Sequence, residues 1–155
     1  MNELSGPVCA VLDLGSNSFH LLIGRLAGGR LVTLDRRKDM VRLAQGLQGD
    51  GCLAEPVMAR ALDSLAVFSQ QLRNIPRANV RVVGTNTLRA ARNADVFLER
   101  AEKIIGVPID VISGQEEGRL IFLGVAKGHA SNAIRRLVVD IGGGSTEFIV
   151  GRRKA

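Results

Sequence analysis

One segment occurs twice in this chain of 155 residues, and the repeat constrains the fold more than any other feature. Each copy has an apolar run containing an aspartate near its end, a short loop rich in glycine and hydroxyl side chains, and a second apolar run. The copies span residues 11–25 and 138–152 and align without gaps, at an offset of 140 − 13 = 127 for Asp13 and Asp140. Two apolar runs joined by so short a loop are typical of a β-hairpin. We therefore predict two equivalent hairpins with polar loops at their tips.

The rest of the chain predicts strands and helices in alternation. The first three strands are joined by short connections and should be antiparallel, and the next two should add parallel to the first. Strands that alternate with helices of this length predict an α/β fold with a mixed sheet. The predicted strands are Val8–Leu14, Phe19–Leu26, Leu31 to Asp35 or slightly beyond, Val80–Val83 and Ile109–Ile112; the predicted helices are Glu55–Leu72, Thr85–Ala91, Ala94–Ile105 and Ser113 to about Gly128, followed by a connector at Ala130–Arg135.

The composition favours phosphate compounds over nucleic acid as partners. Hydrophobic residues make up 46% and charged residues 23%, which is ordinary for a globular protein and argues against disorder. Lysine and arginine exceed the acids by six, since 21 − 15 = 6, so polyanions should be attracted if the positive charge is concentrated on one surface. A generally basic surface is the alternative. With five Phe and no Trp or Tyr, base stacking is scarce, so we expect no specific nucleic acid. No stretch is long and apolar enough for a membrane helix, which makes the cytoplasm the expected location.

The two loops carry groups that suit phosphate. Glycine-rich turns expose backbone N–H groups without a Cβ to block the approach of phosphate oxygens, and the hydroxyl and amide side chains add donors. An aspartate at each strand end could hold a divalent cation. A flexible turn is the alternative for a single loop, but the duplication makes it the minority interpretation. The candidate phosphate-binding residues are Gly15, Ser16, Asn17 and Ser18 in the first loop and Gly142, Gly143, Gly144 and Ser145 in the second.

Four motifs in the same chain resemble one known family. They begin at Asp13, Gly84, Ile112 and Asp140 and read DLGSNSFH, GTNTLR, ISGQEEGRLI and DIGGGSTE. Together they look like the exopolyphosphatase and guanosine pentaphosphate phosphohydrolase family, which belongs to the actin, Hsp70 and sugar-kinase superfamily. The resemblance implies a ribonuclease-H-like (actin-like ATPase) lobe over residues 1–134, with a mixed five-stranded sheet flanked by helices. Residues 135–155 would then form the first hairpin of a second lobe.

The resemblance also implies an activity and a set of site residues. Members of this family hydrolyse the terminal phosphate from polyphosphate, or the 5′-terminal phosphate from guanosine pentaphosphate. The hydrolysis depends on Mg²⁺. Glu117 matches the general base, a role that suits a carboxylate at a helix start facing a phosphate cleft. Arg89 matches an arginine that contacts phosphate, although a charge on a helix face is the alternative. Asp140 and Glu147 are the first expected Mg²⁺ ligands, and Asp13 is the next candidate.

Other polar residues near these motifs are given ordinary roles. Glu116 suits the negative-charge preference of a helix N-terminus, and Arg119 suits packing or an ion pair. His20 and His129 lack partner patterns and are expected to be structural or exposed. For the basic run 36–38, a solvated edge and a role in holding anions both stay open.

Four functional hypotheses remain open at this point. An exopolyphosphatase is slightly favoured by the basic charge, and a guanosine pentaphosphate phosphohydrolase is its alternative within the family. A non-catalytic module that binds polyphosphate or guanosine tetraphosphate comes third, and an ATP-using kinase or chaperone is disfavoured by the SGQEE segment. Family members continue well past Ala155, so we expect a fragment, or a truncated reading frame, with weak or no turnover alone. The apolar residues of the last hairpin would then be covered by another chain or left exposed. A homodimer is one oligomeric state that the sequence leaves open.

Overall fold

A computed structural model describes residues 6–128 and 134–152 of the chain. The described strands and α-helices follow the predicted order. They are β1 (Val8–Leu14), β2 (Phe19–Ala27), β3 (Arg30–Asp39), α1 (Glu55–Leu72), β4 (Val80–Gly84), α2 (Asn86–Ala90), α3 (Ala94–Ile105), β5 (Ile109–Val111), α4 (Gly114–Lys127), β6 (Arg136–Ile141) and β7 (Thr146–Gly151).

Five strands form one mixed sheet in the order β3-β2-β1-β4-β5. β1 pairs antiparallel with β2, and β2 pairs antiparallel with β3, because their connections are too short for a crossover. β4 lies parallel to β1 and β5 lies parallel to β4, since helices intervene before each of them. The predicted α/β fold with a mixed five-stranded sheet is confirmed.

The hydrophobic core lies between one face of this sheet and the helices α1 and α3. In α1, the buried residues recur at helical spacing, and Leu65 at its centre is fully buried. Phe97 of α3 is also fully buried in this core. Burying a side chain of this size stabilises the fold by about 1.5–3 kcal/mol. α1 and α3 begin and end at the predicted residues, because their periodic apolar positions mark them clearly.

The alternation along β1 separates the core from the functional face. Leu12 and Leu14 are buried against the helices, whereas Val11 and Asp13 point to the opposite face of the sheet. The strand therefore delivers an acid to the face that the core helices leave open, directly before the first loop.

The second hairpin forms its own two-stranded sheet. One of its faces packs against α4, where a Cβ at Gly118 would lie 3.1 Å from Ile149 Cγ1. Its other face is exposed, with Ile141 at 80% and Phe148 at 72% of full exposure. The expected uncovered apolar residues are thus found on the outer face, while α4 covers the inner one.

Three details differ from the prediction. β3 continues to Asp39, because β2 offers a pairing partner along its whole length, so Arg36, Arg37 and Lys38 lie within a strand. Thr85 stands at the N-cap of α2, but its side chain makes no capping hydrogen bond. Ile112 lies beyond β5, and most of the predicted connector, at 130–133, falls outside the described residues. In the described part of the chain, no helix combines the length and apolar character needed to span a membrane.

Candidate active site

The two loops of the repeat face each other across a cleft of about 630 Å³. The first loop joins β1 to β2, and the second joins β6 to β7. Volumes of this order are typical of pockets for small ligands. The cleft is lined by Asp13, Gly15, Ser16, Asn17, Ser18, His20, Lys38, Thr85, Glu117, Asp140, Ile141, Gly142, Gly143, Gly144 and Ser145. The structure therefore brings together every loop residue that the sequence singled out for phosphate.

The loop glycines allow the two loops to approach each other closely. A Cβ at Gly143 would lie 2.5 Å from Asn17 Cβ, and a Cβ at Gly144 would lie 2.7 Å from Ser16 Oγ. Gly15 and the three glycines at 142–144 all lack the left-handed backbone conformation that favours glycine. Glycine is required at 143 and 144 because a side chain at either position would push the two loops apart, whereas a Cβ at Gly15 or Gly142 would meet its own loop. Inspection of the isolated turns did not predict this packing role.

Hydrogen bonds to other parts of the chain hold the first loop in place. Ser16 is buried, and its Oγ accepts a hydrogen bond from Thr87 Oγ1 at 2.7 Å. The carbonyl oxygens of Ser16 and Asn17 accept from the backbone N–H groups of Ala44 and Arg42, at 2.9 and 2.7 Å. Because these contacts come from segments distant in sequence, the loop is fixed before any ligand binds.

The second loop is attached to α2 by Asn86. Its Nδ2 donates to the carbonyl oxygen of Gly144 at 2.7 Å, across 58 residues of sequence. Within the loop, Gly142 N donates to Ser145 O at 2.9 Å. Asn86 belongs to one of the four motifs, but its contact to Gly144 could not be read from the sequence.

We expect Gly143→Ala to weaken phosphate binding by about tenfold, because the added Cβ overlaps Asn17 and forces the loops apart. Titration calorimetry with orthophosphate would measure the change. Gly49→Ala is the matched control, since a Cβ there meets nothing within 4 Å. Equal affinities for both variants would show that the close approach of the loops does not matter for binding.

Three carboxylates, those of Asp13, Glu117 and Asp140, line the cleft. Burial, together with the negative charges of Glu117 and Asp140, raises the pKa of Asp13 from 3.8 to about 6. Asp13 Oδ1 is also buried without a hydrogen-bond partner. An unpaired oxygen among acids is a site where a cation would be stabilised.

The residues present fit a hydrated magnesium ion. Within residues 6–128 and 134–152, no three side chains among His, Cys, Asp and Glu form a ready-made metal site. Magnesium, however, usually keeps several waters and is bound through one or two carboxylates plus substrate phosphates. Asp13 and Asp140 supply such a pair.

Glu147 is placed differently from the other two predicted metal ligands. It lies opposite Asp140 in the register of the second hairpin, so both side chains emerge on the same face. It lines a neighbouring cavity between β7 and α4, and its Oε2 is buried without a hydrogen-bond partner. The structure thus brings Asp13 and Asp140 together in the cleft but leaves Glu147 beside it.

Glu117 lies at the start of α4 and is held by Arg89. Ser113 caps this helix by accepting a hydrogen bond from Glu116 N, and the first turn carries Glu117 towards the cleft. Arg89 Nη1 donates to Glu117 Oε2 at 2.8 Å and to Ile112 O at 2.8 Å. The Glu117 side chain is only 14% exposed. Arg89 itself is not among the cleft-lining residues, so here it orients Glu117, and its contact with phosphate stays a prediction.

Two further residues, His20 and Lys38, line the cleft; the sequence left a role in holding anions open for the basic run that contains Lys38, and it gave His20 no role at the site. His20 Nε2 lies 2.7 Å from Ser18 Oγ, and burial together with the charge of Lys38 lowers the pKa of His20. His20 lies opposite Asp13 in the β1–β2 register, and the period of two along these strands was the signal that could have placed it. Glu116 and Arg119 form the expected exposed ion pair at 2.7 Å. His129 falls outside the described residues.

Comparisons with known proteins identify the family of this chain. A model of the Ppx/GppA phosphatase family matches residues 22–155. The guanosine-5′-triphosphate,3′-diphosphate pyrophosphatase of Vibrio campbellii is 51% identical over 148 residues, which are 95% of this chain and 29% of that protein. The chain thus spans less than a third of the length of this curated relative.

Solved structures give the same result. An exopolyphosphatase from Cytophaga hutchinsonii has 36% identity and a TM-score of 0.85, covering 96% of this chain and 47% of its own. The Aquifex aeolicus PPX-GPPA enzyme has 31% identity and a TM-score of 0.83, covering 96% of this chain and 49% of its own. With the family model covering most of the chain and the same fold found in both structures, this chain belongs to the Ppx/GppA phosphatase family.

Proposed function

We propose that the cleft removes the terminal phosphate from a phosphoanhydride chain by magnesium-assisted hydrolysis. The observation that carries the proposal is that Glu117 shares one cleft with both glycine loops and with Asp13 and Asp140. A base, two loops suited to phosphate and a carboxylate pair suited to a cation are the components that phosphoryl transfer to water requires.

The roles of the chain's own residues follow from their positions. The two loops hold the terminal phosphate, with Ser18 and Ser145 at the cleft surface as hydroxyl donors. Glu117 orients a water molecule and accepts its proton, while the water oxygen forms a bond to the terminal phosphorus. The bridging P–O bond breaks, and its electrons leave with the shortened chain. Arg89 keeps the Glu117 carboxylate in place throughout.

Magnesium, when bound, neutralises negative charge on the phosphates and the surrounding acids. Asp13 and Asp140 would hold it, and Glu147 stays a candidate ligand beside them. Without a cation, the three cleft acids would oppose the approach of a polyanion.

Two substrates fit this chemistry. Relatives that are 51% and 52% identical to the chain are named guanosine-5′-triphosphate,3′-diphosphate pyrophosphatase, which favours guanosine pentaphosphate. Inorganic polyphosphate is the second candidate, because a structure 36% identical to the chain is an exopolyphosphatase. Both substrates have a terminal phosphoanhydride, and the cleft acts on that group alone.

Phosphate release from the two substrates tests the proposal and ranks them. The chain is mixed in excess with each substrate and Mg²⁺, and orthophosphate is measured over time. We expect release from both, and faster release from guanosine pentaphosphate. Binding of either compound without release would select the non-catalytic binding module, and turnover of ATP alone would select the kinase-like alternative.

A cytoplasmic location and a homodimer belong to the same proposal. Cell fractionation tests the location, and a mass measurement in solution tests the homodimer.

A further inference from the structure

The two hairpins of the repeat differ at one position beside their loops. The offset of the repeat pairs His20 with Glu147, since 147 − 20 = 127. His20 lies opposite Asp13 in the β1–β2 register. Glu147 lies opposite Asp140 in the β6–β7 register, so both residues occupy the same place in their hairpins. Each aspartate therefore has a different neighbour across the ladder: an imidazole in the first hairpin and a carboxylate in the second.

This difference gives the two hairpins different chemistry. In the second hairpin, Asp140 and Glu147 emerge on the same face, and a pair of acids suits a cation. In the first hairpin, the imidazole of His20 stands where the second acid would be. An ionised carboxylate can only accept hydrogen bonds, whereas an imidazole can donate one through a ring N–H. The first hairpin is therefore the one that can supply a donor to a neighbouring hydroxyl.

That neighbour is the hydroxyl of Ser18 in the first loop. Its Oγ lies 2.7 Å from His20 Nε2. Both residues line the cleft, and Ser18 is buried whereas His20 is exposed. A serine hydroxyl has a single proton, and rotation about the Cβ–Oγ bond decides where that proton points. The contact with His20 therefore controls which direction the Ser18 proton takes.

Only one of the two arrangements of this hydrogen bond serves a phosphate. If the Ser18 hydroxyl donates to His20, no proton is left for a phosphate oxygen, which is itself an acceptor. If His20 Nε2–H donates instead, Ser18 Oγ accepts through a lone pair and its own proton is available to the ligand. We propose that His20 is a positioning residue that donates to Ser18 Oγ and so directs the Ser18 hydroxyl proton at the phosphate in the cleft. The inference rests on the proposed function of the cleft and adds a residue that holds one of its phosphate ligands in the donating orientation.

A double-mutant cycle on His20 and Ser18 tests this role, with calorimetric titration of orthophosphate into the 155-residue chain. Ser18→Ala should weaken binding by about tenfold or more, because a hydrogen bond to a charged group is lost. His20→Ala should weaken binding by about fivefold, because the hydroxyl is no longer directed at the ligand. In a chain that already carries Ser18→Ala, His20→Ala should change the affinity by less than about twofold, because His20 acts through the missing hydroxyl.

His20→Gln and His20→Asn are a matched pair that separates positioning from a structural role. The amide nitrogen of glutamine can take the place of Nε2, whereas the shorter asparagine places its nitrogen near the position of Nδ1. We expect His20→Gln to bind orthophosphate within about twofold of the unaltered chain and His20→Asn to bind it as weakly as His20→Ala. Thermal melting shows that each variant folds, which is expected because the His20 side chain is exposed.

Three results would overturn the positioning role. The first is an equal loss from His20→Ala with and without the Ser18 hydroxyl, because His20 would then act on the phosphate independently. The second is equal binding by His20→Gln and His20→Asn, because a donor at the place of Nε2 would then have no effect. The third is a Ser18→Ala variant that binds orthophosphate as tightly as the unaltered chain.

Phosphate release separates this inference from the proposed function. Magnesium-dependent release that is lost in Glu117→Gln, together with independent effects of His20 and Ser18 in the cycle, would leave the proposed function and remove the positioning role. A chain that neither binds a phosphate compound nor releases phosphate, with or without Mg²⁺, would remove both.

Discussion

Glu117→Gln is expected to reduce phosphate release by a factor of about 10²–10⁴, the usual contribution of a general base. Glutamine keeps the shape of the side chain and an oxygen that can accept from Arg89, whose Nη1 lies 2.8 Å from Glu117 Oε2. It cannot accept a proton from water. Hydrolysis should therefore be lost while binding of the phosphate compound changes little. Release is measured with the chain in excess over substrate and with Mg²⁺ present.

Glu116→Gln is the control for this prediction. Glu116 is the preceding residue, and its carboxylate is bound by Arg119 through Nε and Nη2, both at 2.7 Å. The pair is exposed, and such pairs contribute little to stability. The control removes the same charge from the same helix turn and should release phosphate at nearly the unaltered rate. Unchanged release in Glu117→Gln would remove the base assignment, whatever the control does.

Asp13→Asn is expected to stabilise the fold at neutral and higher pH in the absence of metal. The pKa of Asp13 is raised from 3.8 to about 6, so the folded state holds the proton more tightly than the unfolded state. The stability that this group contributes is present below pH 3.8 and is lost as the pH rises through about 6. A shift of about two units corresponds to about 3 kcal/mol, which the uncharged asparagine recovers. For a chain of this size, the midpoint of thermal unfolding should rise by about 5–10 °C.

Two measurements separate this effect from general charge removal. Asp63→Asn, at an exposed position of α1, should leave the midpoint nearly unchanged at about pH 8. At about pH 4, where Asp13 holds its proton, the advantage of Asp13→Asn should disappear. Added Mg²⁺ should stabilise the unaltered chain at about pH 8 more than it stabilises Asp13→Asn. A variant that is no more stable than the original at high pH would show that Asp13 is not under electrostatic strain.

Elements with strong local patterns were predictable from the sequence, and elements without them were not. α1 begins and ends at the predicted residues because apolar positions recur every third or fourth residue and Pro56 suits its first turn. β3 was predicted to end near Asp35, yet it continues to Asp39. Its last residues are charged, and an edge strand exposed on both faces needs no apolar alternation to pair with β2.

Part of the candidate site was predictable from the sequence, and part of it was not. The loops, Glu117 and the two aspartates were identified from motifs, because each sits at a strand end or helix start that the sequence marks. The partners of these residues were not identified. Arg89 and Glu117 are 28 residues apart, and Asn86 and Gly144 are 58 apart. Nothing local specifies such pairs, since they depend on how α2 and α4 lie beside the loops.

The sequence by itself determined the two hairpins, the mixed sheet and the residue types that the cleft offers to phosphate, because hydrophobic period and glycine position act over a few residues. Only the tertiary structure decided that Gly143 and Gly144 are required for packing between the loops and that Arg89 holds Glu117. It also decided that Glu147 lies beside the cleft and that His20 and Lys38 lie within it. These relations are set by the register of paired strands and by contacts between distant segments, which a pattern read along one chain does not contain.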